Sequence, residues 1–174
     1  QREIDPNKYT YRNYDGLNRL TGLGEYFIIP LDSSDNGNQF ESSDMEDYLV
    51  ANVYDTVTIE NTIIDVFTPP NGYYDLPNYT KGRLASTAFR TRQSDNWNYK
   101  YYRYDERGRV KKMWLMLDGL ELKTVNYEYN SQDMVKSLNY NSGADFKRYR
   151  YRYDIAGRLQ SVDTYEGPEN TDDS

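Results

Sequence analysis

Tyr102-Arg103-Tyr104-Asp105-Glu106-Arg107-Gly108-Arg109-Val110 recurs further along the chain as Tyr151-Arg152-Tyr153-Asp154-Ile155-Ala156-Gly157-Arg158-Leu159. In both copies two tyrosines stand two residues apart, so they share one face of a strand. Asp is a favoured first residue of a type I turn and Gly its favoured fourth. The stretch therefore predicts a β-hairpin: Asp105 and Asp154 open the turn, Gly108 and Gly157 close it, and Arg109 and Arg158 lead into the return strand. A worn copy runs Tyr127-Glu128-Tyr129-Asn130-Ser131-Gln132-Asp133-Met134-Val135, and another runs Asn13-Tyr14-Asp15-Gly16-Leu17-Asn18-Arg19-Leu20. Asn18 and Asp133 stand where Gly is missing, and these residue types best tolerate left-handed backbone. A half copy, Tyr79-Thr80-Lys81-Gly82-Arg83-Leu84, lacks the Tyr-Asp opening. The turn-closing positions 82, 108, 133 and 157 are separated by 26, 25 and 24 residues, a period of one hairpin per repeat.

Between the motifs the strands alternate. Tyr149, Tyr151 and Tyr153 fall on one face and Arg148, Arg150 and Arg152 on the other. Leu117-Asp118-Gly119-Leu120 reads as a tight hairpin turn of the primed kind, and Asn141-Ser142-Gly143 as another reversal. The expected fold is all-β: an antiparallel sheet of consecutive hairpins, strongly twisted, with helix nearly absent.

Composition agrees with this pattern. A mean hydropathy of -1.01 raises the question of disorder, but 20 Tyr and 16 % aromatic residues supply apolar area for a core. At 174 residues the chain suits one domain. With no Cys there is no disulfide, thiol nucleophile or thiolate metal site. With no His the usual general base and the commonest zinc ligand are gone. No apolar run is long enough for a membrane span, and no basic-then-apolar leader opens the chain. Gln1-Arg2-Glu3-Ile4 already reads as repeat, as expected of a piece of something longer. The net charge of -7 is uneven: residues 1–80 carry 4 − 14 = −10, residues 81–165 carry 17 − 10 = +7, and residues 166–174 carry 0 − 4 = −4.

The motif Tyr-x-Tyr-Asp-x-x-Gly-Arg-Leu resembles the YD repeat of bacterial RHS and teneurin-like proteins, over residues 79–165 and again over 9–22. In that family successive hairpins join edge to edge into a spiralling sheet, which closes into a hollow shell in full-length proteins. The resemblance implies a structural scaffold or shell segment of a larger bacterial protein, extracellular or at the cell surface. The family's Asp-Pro autocleavage motif is not recognisable: Asp5-Pro6 lies at the wrong end of the chain without the flanking pattern. Repeats in this number are also too few to close a shell.

The expected organisation is a single β-repeat domain over residues 1–165, with a first repeat at 9–22, an insertion at 23–78 and consecutive repeats at 79–165, followed by an acidic tail at 166–174. Within the insertion Val50-Ala51-Asn52-Val53-Tyr54, Thr56-Val57-Thr58-Ile59 and Ile63-Ile64-Asp65-Val66-Phe67 read as strands, and Thr68-Pro69-Pro70-Asn71-Gly72 ends the block. Asp32-Ser33-Ser34-Asp35-Asn36-Gly37 has the oxygen spacing of a calcium loop, but the closing Glu is replaced by Ser43, so a solvated loop is the better reading of 32–43.

Five side chains are candidates for ligand contact. Trp97, on the loop Asp95-Asn96-Trp97-Asn98, and Trp114 could stack on sugar rings, and Arg148, Arg150 and Arg152 form a basic face interleaved with aromatics. The competing reading is structural: the aromatics fill the sheet face, and the Arg stems cover tyrosine rings. A net charge of -7 argues against nucleic acid and leaves glycans as the alternative ligand class. Carboxylate pairs such as Glu46/Asp47 and Asp105/Glu106 have no spacing that fixes a catalytic geometry. No catalytic residue, metal or cofactor is assigned, and the reading is of a non-enzyme. The expected partner is the remainder of a longer RHS-type chain, or another protein, paired along a sheet edge.

Overall fold

The computed structural model describes residues 8–27, 48–55, 70, 79–92, 95–141 and 145–167. Several expectations lie outside the described residues: Asp5-Pro6, the loop 32–43, the strands at 56–59 and 63–67, most of 68–72, the reversal at 142–143 and the tail from 168 onward.

The described residues form strands β1 (Lys8–Tyr14), β2 (Leu20–Phe27), β3 (Tyr48–Tyr54), β4 (Leu84–Phe89), β5 (Asn98–Tyr104), β6 (Val110–Met116), β7 (Lys123–Tyr129), β8 (Val135–Tyr140), β9 (Lys147–Tyr153) and β10 (Leu159–Glu166). They make one 10-stranded sheet in which each strand lies beside its sequence neighbours, from β1 at one edge to β10 at the other. Every pairing is antiparallel, and the described residues contain no α-helix. The architecture is the all-β series of hairpins expected from the repeat. The strand expected at Val50–Tyr54 is β3, in line between β2 and β4.

The motif sets the register. In each hairpin the turn-flanking Tyr pairs with the residue after the Arg or its substitute: Tyr14 with Leu20, Tyr54 with Leu84, Tyr104 with Val110, Tyr129 with Val135 and Tyr153 with Leu159. A register shift sits beside each of these pairs, where the turn adds its extra residue to the ladder. The junctions between hairpins share a register too. Gly22 pairs with Ala51, Ser86 with Tyr101, Lys112 with Asn126 and Ser137 with Arg150. In each junction the residue three after the turn Arg position meets the residue three before the next turn Tyr.

A pleated strand separates odd from even positions, and the pairing carries that separation across the sheet. Tyr102, Met113, Val125 and Tyr140 lie in one row of a face, and Tyr127, Leu138 and Tyr149 in a neighbouring row. The opposite face carries the core, formed by Ala51, Ala85, Ala88, Tyr99, Tyr101 and Trp114, with Val53, Trp97 and Met116 packed against it. Small residues on β3 and β4 make room there for the stacked rings of Tyr99 and Tyr101, whose centroids are 6.3 Å apart. A second close fit joins β2 and β3. A Cβ on Gly22 would lie 2.2 Å from the Tyr48 ring, so that ring rests on bare backbone. Tyr48 also meets Tyr11 edge to face at 5.5 Å and accepts a hydrogen bond from the Asn13 amide.

One turn differs from its expected type. Leu120 N–H donates to the Leu117 carbonyl at 3.0 Å, but only Gly119 (φ 72) has positive φ. A primed turn needs left-handed backbone at the first central residue, and Asp118 does not supply it. The connection runs on to Leu122 before β7 begins, so the turn need not match the strand twist as a two-residue loop must. Asp118 is held instead by its N–H on Asn98 Oδ1 at 2.9 Å and by Asn96 Nδ2 on its carboxylate at 3.1 Å.

Candidate functional site

The meander places every turn of the repeat motif along the same side of the sheet, and the local chemistry of each turn repeats. Gly108 N–H donates to the Asp105 carbonyl at 2.9 Å, closing the type I turn, and Asp105 N–H donates to the Arg109 carbonyl at 2.9 Å. The Asp105 carboxylate accepts Arg107 N–H at 3.0 Å and Arg109 N–H at 2.9 Å through Oδ1, and Arg109 Nε at 2.6 Å through Oδ2. Asp154 does the same with Ala156 N–H, Arg158 N–H and Arg158 Nε at 2.9, 2.9 and 2.7 Å. Asp15 repeats it with Leu17 N–H, Arg19 N–H and Arg19 Nε at 2.9, 2.9 and 2.6 Å. The worn copy keeps the backbone half of this arrangement: Asn130 Oδ1 accepts Gln132 N–H and Met134 N–H, both at 3.0 Å. Gly108 (φ 80), Gly157 (φ 77), Asn18 (φ 60) and Asp133 (φ 63) occupy the left-handed position, as the substitutions imply.

The half copy also has its aspartate, which sequence reading missed. Asp55, following Tyr54 at the end of β3, donates its N–H to the Arg83 carbonyl at 2.9 Å and accepts Gly82 N–H at 2.5 Å, while its carbonyl accepts the Thr80 hydroxyl. Residues 56–78 separate the two halves of this turn. The signal was present as Val53-Tyr54-Asp55, a Tyr-Asp pair at the end of a strand.

The same side chains tie each hairpin to the next. Tyr54 Oη donates to the Leu20 carbonyl at 3.0 Å, Tyr104 Oη to Leu84 at 2.7 Å, Tyr129 Oη to Val110 at 2.7 Å and Tyr153 Oη to Val135 at 2.8 Å. Over these rings lie the arginines of the preceding turn: Arg19 over Tyr54 at 4.4 Å, Arg83 over Tyr104 at 5.7 Å and Arg109 over Tyr129 at 4.3 Å. Arg19 also reaches Asp55 at 2.9 Å, and Arg109 reaches Asp133 at 2.5 Å with Arg107 beside it at 2.7 Å. The turn residues therefore serve two purposes, shaping their own hairpin and fastening it to its neighbour.

Electrostatics follow these contacts. The Arg19 N–H and guanidinium hold the Asp15 carboxyl below its ordinary value, and Arg19 with Gly82 N–H does so for Asp55. Burial pushes Asp105 up, but the Arg109 side chain and backbone outweigh it, and the carboxyl is lowered overall. Arg158 N–H and guanidinium lower Asp154. On the opposite side of the balance, burial raises the phenols of Tyr99, Tyr102, Tyr104, Tyr127, Tyr129 and Tyr151.

The five candidate ligand contacts do not converge on one place. Trp114 is 1 % exposed and belongs to the core. Trp97 leaves the exposed loop residues Asp95 and Asn96 and packs against that core, with the Arg90 guanidinium 4.4 Å from its ring. Arg148 donates to Asn139 Oδ1 at 3.0 Å and lies 5.2 Å from the Phe146 ring. Arg152 pairs with Asp163 at 2.8 Å. Arg150 sits between Ser137 on β8 and Asp163 on β10.

No family model and no curated protein matches the chain. Among solved structures it is similar to a chain of the Tc holotoxin pore of Photorhabdus luminescens in a form with a mutated TccC3, at 12 % identity and a TM-score of 0.23, covering 91 % of this chain and 10 % of that one. It is also similar to a chain of a TcdB2-TccC3-Cdc42 crystal structure, at 13 % identity and a TM-score of 0.23, covering 90 % and 10 %. The chain thus spans about a tenth of the length of these solved chains. Among the described residues no helix is long and apolar enough to cross a membrane.

Proposed function

We propose that this chain is a structural scaffold segment of a larger RHS-type protein, extracellular or at a bacterial cell surface, with no catalytic role of its own. The observation that supports it most is the reuse of the turn Asp, the turn Arg and the strand-end Tyr at successive junctions. A catalytic or binding site concentrates its special residues at one place, whereas here they are spread at one set per hairpin and spent on cohesion. Among the described residues β1 and β10 are the outermost strands of the sheet, the positions at which a longer series of hairpins would add its next strands. Electron cryomicroscopy of the parent polypeptide tests the reading. The expected result is further strands hydrogen-bonded outside β1 and β10 in one continuous wall. A compact domain with both edges open to solvent and a ligand bound on its face would overturn it.

A further inference from the structure

The Tyr-x-Tyr of each repeat sets two tyrosines on one face of the sheet, and the structure uses them differently. The second, Tyr104, Tyr129 or Tyr153, gives its hydroxyl to a carbonyl of the preceding hairpin. The first, Tyr102, Tyr127 or Tyr151, is half-buried, and its hydroxyl bonds to nothing among the described residues yet is not sealed from water. Cohesion between hairpins therefore accounts for one tyrosine of each pair and leaves the other without a task. Strand alternation puts Lys100, Lys111, Lys123, Lys136 and Lys147 on the same face as these rings, and the strand positions of β5 to β9 place no carboxylate there. Lys100 lies 5.1 Å from the Phe89 ring, Lys123 is 3.9 Å from Asp145 and Lys147 bonds Glu166 at 2.7 Å. Lys111 and Lys136 are exposed and have no acidic partner among the described residues. One step along the ladder from Lys112 and Asn126 sets Lys111 opposite Tyr127, and one step from Ser137 and Arg150 sets Lys136 opposite Tyr151. Two successive repeats thus join an unbonded phenol to an unpaired ammonium, and the two tyrosines stand two strands apart, roughly 10 Å across the sheet. Behind burial, the phenols raise one another, Tyr127 acting on Tyr102 and both Tyr140 and Tyr151 on Tyr127, so the hydroxyls run close together along the face.

We infer that this face binds an acidic polysaccharide of the uronate class, laid across β6 to β9 with Tyr127 and Tyr151 on its hydroxyls and Lys111 and Lys136 on its carboxylates. A phenol O–H both donates and accepts, as a sugar hydroxyl does, while an ammonium offers only donors and charge, which a carboxylate takes up. Half-buried rings with hydroxyls reaching water suit hydrogen bonding to sugars better than the face-on stacking that holds single-stranded nucleic acid. A nucleic acid also brings a charge on every nucleotide to a chain of net charge -7, whereas a uronate polymer can space its charges with neutral sugars. The surface is separate from the sheet edges, so the inference goes beyond the scaffold reading and holds equally with further strands outside β1 and β10.

The test titrates the full chain with polygalacturonate oligomers by isothermal calorimetry. Tyr127→Phe and Tyr151→Phe are each expected to weaken binding about fivefold, and Lys111→Gln combined with Lys136→Gln about tenfold with a shallower salt dependence. Urea unfolding of the two Tyr→Phe variants is expected to keep the unsubstituted midpoint, because no internal bond is lost, so that weaker binding reports the site and not a loosened fold. Arg152→Gln, on the opposite face, is expected to leave binding unchanged. Four results would overturn the inference: no binding, weakening by Arg152→Gln as large as by the lysine pair, an unfolding midpoint lowered by either Tyr→Phe change, or single-stranded oligo(dT) or polyglutamate bound as tightly as the probe. None of them bears on whether the sheet continues in the parent protein, which the scaffold reading's own test decides.

Discussion

Replacing Asp105 separates the two jobs its carboxylate performs. Asp105→Ala removes the acceptor for two backbone N–H groups, Arg107 at 3.0 Å and Arg109 at 2.9 Å, together with the Arg109 side-chain pair. Each lost backbone bond costs about 1 kcal/mol at this partly buried site, where water can partly replace the carboxylate. The ion pair adds about 0.5 kcal/mol after solvent screening, since its side chains keep 25 % and 18 % of their exposure. The expected total is roughly 2.5 kcal/mol. Asp105→Asn keeps an oxygen for both N–H groups and gives up the charge, so it should cost only about 0.5 kcal/mol. The molecule already contains this arrangement, for Asn130 holds Gln132 and Met134 N–H at 3.0 Å with no arginine to pair. Urea unfolding of both variants, with the slope unchanged and the midpoint shifted, measures the two costs. If Asn is as damaging as Ala, the backbone caps are not what carries the turn and the reasoning fails.

Further outcomes follow from the same contacts. Tyr129→Phe, which deletes the 2.7 Å bond to the Val110 carbonyl but keeps the ring under Arg109, should cost about 1 kcal/mol in denaturant unfolding. Gly157→Asn should cost under about 1 kcal/mol and Gly157→Val about 2 kcal/mol or more, because φ is 77 and the space around a Cβ is nearly open, leaving backbone strain to decide. Trp114→Ala, in the core, should cost about 3–5 kcal/mol and be the most damaging of these substitutions by thermal unfolding. For pH, the lowered carboxyls of Asp15, Asp55, Asp105 and Asp154 contribute stability that is present above their ordinary value of 3.8 and is lost as pH falls through their lower folded values. The raised phenols contribute stability present below their ordinary value of 10.0 and lost as pH climbs past it, so a melting-temperature profile should be flat between those limits in a chain with no His.

What was legible in the sequence was local. Asp105, Gly108 and Arg109 specify their turn through neighbours within five residues, and the Tyr149 and Arg148 alternation specifies two faces through the pleat alone. The Asp55 half of the second turn escaped because residues 56–78 stand between it and Arg83, and a fixed-period search cannot bridge an insertion placed inside the motif. The junction contacts were hidden for a related reason. Whether Tyr104 Oη meets the Leu84 carbonyl depends on how β5 is offset against β4, which the connection around Trp97 sets and the motif does not. The primed reading of Leu117–Leu120 treated Asp118-Gly119 as a two-residue loop, while β7 begins only at Lys123.

Backbone hydrogen exchange, measured on the dilute isolated chain and on the parent protein, addresses the central claim most directly. A segment that hands its edge strands to neighbours should show β5 to β8 slow in both samples, and β1 and β10 slow only in the parent. Edge strands that exchange at the same rate in the two samples would contradict it.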